Sequence, residues 1–233
     1  MKISQIVTAA ACLTGTALAQ TRLKIMPLGD SITALTCWRA RLWDLLEANN
    51  VTDKIQFVGS KTDNPERCSA ADPNWNKRHE GHPGFLAIDI ADDHHLEGWL
   101  NTTEPDIVMF MLGTDDIAQG KKADNILLAY TDLVDQMRAS NPNMVIIVDT
   151  VVPLPVSDEA VKSLNAAIPS WASDQNQTES PIYVNDIYPY PNTALRDGIH
   201  PNDDGDDIIA SALSPLLTWI INSNTAGNST DIE

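Results

Sequence analysis

Beyond its first nineteen residues this 233-residue chain lacks any apolar run long enough to cross a bilayer, so no membrane span is expected in the body of the protein. It is poor in cations, with 15 Lys and Arg against 32 Asp and Glu. An acidic surface of that size excludes nucleic acid and anionic membranes as partners. Cysteine is scarce as well: Cys12, Cys37 and Cys68 are the three present. No internal repeat, low-complexity tract or interdomain linker divides the chain, and one α/β domain with a real core fits its length.

The opening, "MKISQIVTAAACLTGTALAQ", has one cation (Lys2), an apolar stretch from Ile6 to Ala19, and small residues at Ala17 and Ala19. That is the pattern of a secretory signal over residues 1–19, cleaved before Gln20. Cleavage leaves 233 − 19 = 214 residues and a charge of 14 − 32 = −18. It removes Cys12, and in an oxidising compartment the remaining Cys37 and Cys68 read as one disulfide. Sequons begin at Asn50, Asn101, Asn176 and Asn228, which suits an exported glycoprotein. The last ten residues, 224–233, read as a frayed polar tail.

Short apolar runs at 23–28, 54–59, 106–112, 144–150 and 181–186 have the length and punctuation of buried strands. Between them lie helical patterns at 37–50, 86–100, 123–140, 158–176 and 203–221. Asp124 is a candidate N-cap, and Pro169 and Pro215 are expected to kink or end two of these helices. Alternation of this kind predicts a parallel sheet covered on both faces, over residues 20–223.

Function in open parallel sheets gathers at the carboxyl ends of the strands. Four stretches fall there: Gly29-Asp30-Ser31, "HEGHPGF" (79–85), Gly113-Thr114-Asp115-Asp116 and "RDGIHPND" (196–203). Singly, each is ordinary turn or cap chemistry. Together they supply a hydroxyl, a base and its partner. Ser31 needs a base to become a nucleophile; His200 can take its proton, and Asp197 can orient the imidazole. Backbone N–H groups of Ser31 and of a loop glycine can receive the oxyanion of a tetrahedral intermediate.

In order and spacing, "GDSIT" (29–33), "EGHPGF" (80–85), "GTDD" (113–116) and "DGIHPND" (197–203) resemble the SGNH hydrolases, also called GDSL-type esterases. "TCWRARLWDLL", "FVGS" and "HEGHPGF" are similar to the acetylxylan-esterase branch, carbohydrate esterase family three. The resemblance implies a flavodoxin-like three-layer sandwich on a five-stranded parallel sheet of order 2-1-3-4-5. It implies Ser31 as nucleophile, His200 as base, Asp197 as its partner and Gly84, rather than Gly81, as the oxyanion glycine. No metal or organic cofactor is required. The implied substrate is an acetylated polysaccharide such as xylan, or a small ester; the alternatives are a lipid or aryl ester and a catalytically silent carbohydrate-binding relative. The absence of G-x-S-x-G around Ser31 disfavours the α/β-hydrolase fold.

One position departs from the family pattern. Its third block carries an asparagine that donates to the oxyanion, and here Asp115 stands in that place. An ionised carboxylate cannot donate and repels the charge it faces. Asp115 can donate as a neutral acid at low pH, turn aside, or silence the site. Other acidic runs, "DDHH" (92–95) and "NDDGDD" (202–207), fit solvated faces better than metal sites, the first within a helix. Trp75 can either stack on a sugar or pack its own loop.

Overall fold

A computed structural model describes residues 22–226, so the signal expected at residues 1–19 and the last seven residues, Asn228 among them, lie outside it. Six parallel strands form one sheet: β1 (Leu23–Gly29), β2 (Ile55–Phe57), β3 (Glu80–Gly81), β4 (Ile107–Met111), β5 (Val145–Asp149) and β6 (Ile182–Asn185). Five run in the order β2-β1-β4-β5-β6. The sixth, absent from the five-strand expectation, is the two-residue β3, which pairs Glu80 and Gly81 with Leu28 and Gly29 of β1. Two residues carry no periodicity that a sequence pattern could register.

That small strand resolves a conflict inside β1. Pro27 lacks an N–H and is a poor residue for an inner strand. Yet β2 pairs only with Leu23–Ile25 and β3 only with Leu28–Gly29. On that edge the Ile25 carbonyl accepts from Val58 N–H and the Gly29 carbonyl from His82 N–H. Pro27 falls between them, where no ladder bond is missed.

Alternation along the strands divides the core into two layers. Met26, Leu28, Val108, Phe110, Ile146 and Val148 face one way, onto Ile90, Tyr130, Leu133, Leu164 and Ile168. These come from α3 (Ala87–Asp92), α6 (Ala123–Ser140) and α7 (Asp158–Gln175), with Leu96 and Leu100 of α4 (His95–Thr103) beside them. Ile25, Ile107, Met109, Val145 and Ile147 face the other way, onto Trp38, Leu42 and Leu46 of α2 (Trp38–Ala48) and Leu213, Leu217 and Ile220 of α8 (Asp203–Ala226). Each such side chain taken fully out of water contributes about 1.5–3 kcal/mol. Two short helices, α1 (Ser31–Leu35) and α5 (Thr114–Ala118), follow β1 and β4 directly.

Local details differ from expectation. The pattern at 86–100 is two helices, broken where His94 takes φ 54°. "DDHH" therefore spans a helix break and is exposed. Helix α6 starts one residue before Asp124, which sits in its first turn with Lys122 as N-cap. Helices α7 and α8 run on through Pro169 and Pro215. Both prolines are exposed, so water can reach the carbonyls they free while apolar neighbours on either side keep the helix docked. Helix α8 also takes in Asn224–Ala226, the start of the expected tail.

Cys37 and Cys68 form a disulfide across 31 residues, tying the α1–α2 junction to the long loop between β2 and β3. Trp75 in that loop is 4% exposed, 6.3 Å from the ring of Trp43, which gives it the packing role. Asn50, Asn101 and Asn176 are exposed.

Candidate active site

Strand β1 delivers Ser31 to the carboxyl edge of the sheet. Gly29 closes the strand because a Cβ there would stand 2.2 Å from Thr33 Oγ1 and 2.8 Å from the Met111 carbonyl. Asp30 caps α1, its Oδ1 accepting the Ile32 N–H at 2.8 Å. Ser31 is thus the first helical residue, its own N–H unclaimed by the helix ladder.

His200 arrives from the loop between β6 and α8. Its Nε2 lies 2.9 Å from Ser31 Oγ, and its Nδ1 lies 2.8 Å from Asp197 Oδ2. The other Asp197 oxygen accepts the backbone N–H groups of Ile199 and His200, at 3.0 and 2.7 Å. Loss of water raises the Asp197 pKa, but these backbone bonds and the imidazole outweigh it and hold the carboxyl down to about 2. An ionised Asp197 fixes the proton on Nδ1, so Nε2 presents a lone pair to Ser31. Residues 169 apart in the chain are therefore in hydrogen-bond contact.

Gly81 and Gly84 have different surroundings. The Gly81 N–H donates to His79 Nδ1 at 3.0 Å, and a Cβ on Gly81 would crowd Ala34 N at 2.7 Å. Its donor is already used. Gly84 is exposed at φ 83°, a conformation that favours glycine, and a Cβ there would meet nothing within 4 Å. Its N–H makes no hydrogen bond to another of the described residues. The turn carrying it is pinned on both sides of Ser31. His82 N–H donates to the Gly29 carbonyl, while Ala87 and Ile88 donate to Asp116 Oδ2 and Oδ1 at 2.8 and 3.3 Å.

Asp115 stands at the start of α5, half-buried, with Oδ2 buried and without a hydrogen-bond partner among the described residues. Burial pushes its pKa up, and the nearby His200 charge pulls it back in part. Beneath it, fully buried Asp30 is pushed up to about 7 by desolvation first, against the Ile32 N–H and with the charges of Asp115 and Asp116 adding. Desolvation thus raises Asp30, Asp115 and Asp116 alike.

Several supporting residues have no counterpart in the sequence reading. Buried Arg39 donates to the Thr33 and Lys77 carbonyls, each at 2.8 Å, locking α1 against the long loop. Desolvation lowers its pKa to about 10. Buried His79 is driven down to about 4 by desolvation and by Arg39, so it stays neutral and accepts from Gly81. Glu80 accepts from Ser60 N–H, Ser60 Oγ and His82 Nε2, each at 2.6 Å. Burial raises its pKa, but these donors outweigh that and leave it lowered. Within "NDDGDD", Asp203 and Asp206 approach Cys37, whose sulfur is committed to the disulfide. A cleft of about 650 Å³ lined by Trp43, Asp53, Trp75 and Arg78 contains none of Ser31, Asp197 or His200.

The chain resembles a serine-to-alanine variant of an acetyl esterase, solved with an acetate ion: 40% identity, TM-score 0.83, covering 86% of this chain and 99% of that one. A carbohydrate esterase family 3 structure from Talaromyces cellulolyticus is 41% identical, with the same TM-score and coverage. A family 3 carbohydrate esterase from Clostridium thermocellum is 27% identical, with a TM-score of 0.73, over 87% and 98% of the two chains. Among curated proteins, a multidomain esterase of Ruminococcus flavefaciens is 28% identical over 78% of this chain and 27% of its own. A putative endoglucanase X of Acetivibrio thermocellus is 30% identical over 50% of this chain. The chain spans about half the length of the latter. With the family model matched over residues 28–208, the chain belongs to the GDSL-like Lipase/Acylhydrolase family.

Proposed function

We propose that this protein is an exported serine esterase that removes acetyl or other small acyl groups from plant cell-wall polysaccharide such as xylan. The observation that carries the reading is the Asp197–His200–Ser31 chain at 2.8 and 2.9 Å, beside the unengaged Gly84 N–H. His200 Nε2 takes the Ser31 proton as Oγ attacks the ester carbonyl, and Asp197 stabilises the imidazolium. The N–H groups of Ser31 and Gly84 receive the oxyanion. His200 then returns the proton to the departing sugar hydroxyl. Water, activated by the same imidazole, releases the acyl group from Ser31 as a carboxylate.

Asp115 adds a third donor when protonated, and its burial favours that form. Once ionised it opposes the oxyanion, so the reaction is fastest on the acid side of its titration. The polysaccharide assignment draws on the acetyl esterase and family 3 relatives. Export draws on residues 1–19, the sequons and the disulfide.

Acetate release from acetylated xylan, followed from pH 4 to 8, tests this reading. The parent is expected to release acetate and Ser31→Ala to release none. A parent inert at every pH, with glycan binding unchanged in Ser31→Ala, would mark a silent binding relative. A preference for long-chain aryl or lipid esters would overturn the polysaccharide assignment alone.

A further inference from the structure

The turn that presents Gly84 rests on a column of rings that the proposed chemistry leaves unused. His82 lies flat on Trp99 of α4, centroids 4.2 Å apart and planes 9° from parallel. His95 stacks on Trp99 at 5.9 Å and 15°. Phe85 closes the group, 5.0 Å from His82 and 5.5 Å from His95. Inward of the stack, His82 Nε2 donates to Glu80, whose carboxylate is also held by both donors of Ser60. The carboxylate stands between Ser60 and His82, so the imidazole cannot deprotonate that hydroxyl and no second nucleophile is assembled.

Gly84 itself touches little: it is exposed, has no hydrogen bond to the described residues and takes a left-handed φ. One residue, Pro83, separates it from His82, and Phe85 follows it directly. Its direction therefore depends on what fixes those two side chains. Phe85 N–H donates to the His82 carbonyl, closing the turn into one unit. Ring stacking holds that unit from outside, and Glu80 holds it from beneath.

We propose that His82 and Trp99 are positioning residues that hold the Gly84 N–H toward Ser31, and so act on the oxyanion without meeting it. The proposal rests on Gly84 as an oxyanion donor. Its signature is a loss confined to tetrahedral states, because the ground-state ester makes no such bond.

The experiment compares parent, Trp99→Leu, Trp99→Phe and His82→Gln by kcat, KM, melting temperature and inhibition by a small alkylboronic acid. The boronic acid accepts the Ser31 oxygen, its boron becomes a tetrahedral anion, and the serine proton passes to His200. Trp99→Leu is expected to lower kcat roughly 10–100-fold, the scale of a misplacement near 1 Å. KM stays within about twofold, and boronate affinity weakens by the same factor as kcat. Trp99→Phe, which keeps a ring under His82, retains kcat within about threefold. His82→Gln keeps a donor for Glu80 but removes the stack; it carries the same prediction if Trp99→Leu does not fold. A role confined to stability would lower the melting temperature and leave kcat and boronate affinity of the folded protein unchanged, which overturns the proposal. An active parent whose Trp99→Leu and His82→Gln variants match it overturns positioning while the esterase stands. A parent inert toward ester and boronate overturns both.

Discussion

Asp115 is the residue expected to set the pH dependence of the rate. Desolvation of this half-buried carboxyl, whose Oδ2 has no partner among the described residues, holds its proton above the ordinary range, while His200 opposes. The sign follows directly. The neutral acid donates, so parent activity falls as pH rises through the raised Asp115 pKa. Asp115→Asn keeps a donor at every pH. It is expected to raise kcat at neutral pH by roughly 10²-fold, the worth of one oxyanion donor, and to remove the alkaline loss. Rate–pH profiles of the two proteins check this, and superimposable profiles would show that Asp115 faces no developing charge. The position was visible in the sequence because it departs from a block that is otherwise intact. Its burial and lack of a partner were not, since both depend on what α5 and the His200 loop place around it.

At the scale of elements, the strands and the long helices were legible because their periodicities are strong and their ends carry Gly, Pro, Asp or Asn. The connections were less so. Strand β3 is two residues long, and it exists because Gly29 and the loop from Gly59 to His79 bring Glu80 alongside β1. Glu80 is buried because three donors meet it, two of them on Ser60, and no local pattern announces a contact twenty residues away. Asp116 shows the same logic between elements: placed after β4, it caps α3 through Ala87 and Ile88. Asp116→Ala is expected to cost about 1–3 kcal/mol by orphaning two N–H groups, which lowers the melting temperature by several degrees. It should also slow turnover by loosening the turn that carries Gly84. Asp116→Asn keeps one acceptor and should lose less of both. Thermal denaturation and kcat on an aryl acetate measure the pair; an unchanged melting temperature in Asp116→Ala would remove the cap from the account.

Across the whole molecule, charge and chemistry are divided along the chain. Residues 20–79 carry nine Lys and Arg and seven Asp and Glu, whereas residues 80–233 carry five and 25. Ser31 comes from the first part and His200 from the second, so the proposed reacting hydroxyl joins a near-neutral stretch of sequence to a strongly acidic one. A field of that sign works against the oxyanion, which leaves local N–H donors to stabilise it. The central claim is that Ser31 is an activated nucleophile. Intact-mass and peptide analysis after treatment with an alkyl fluorophosphonate tests it most directly, since the serine oxygen displaces fluoride and keeps the phosphonyl group. One adduct per chain on Ser31, absent from His200→Ala, is the predicted result; an unlabelled parent, or label on another residue, would contradict it.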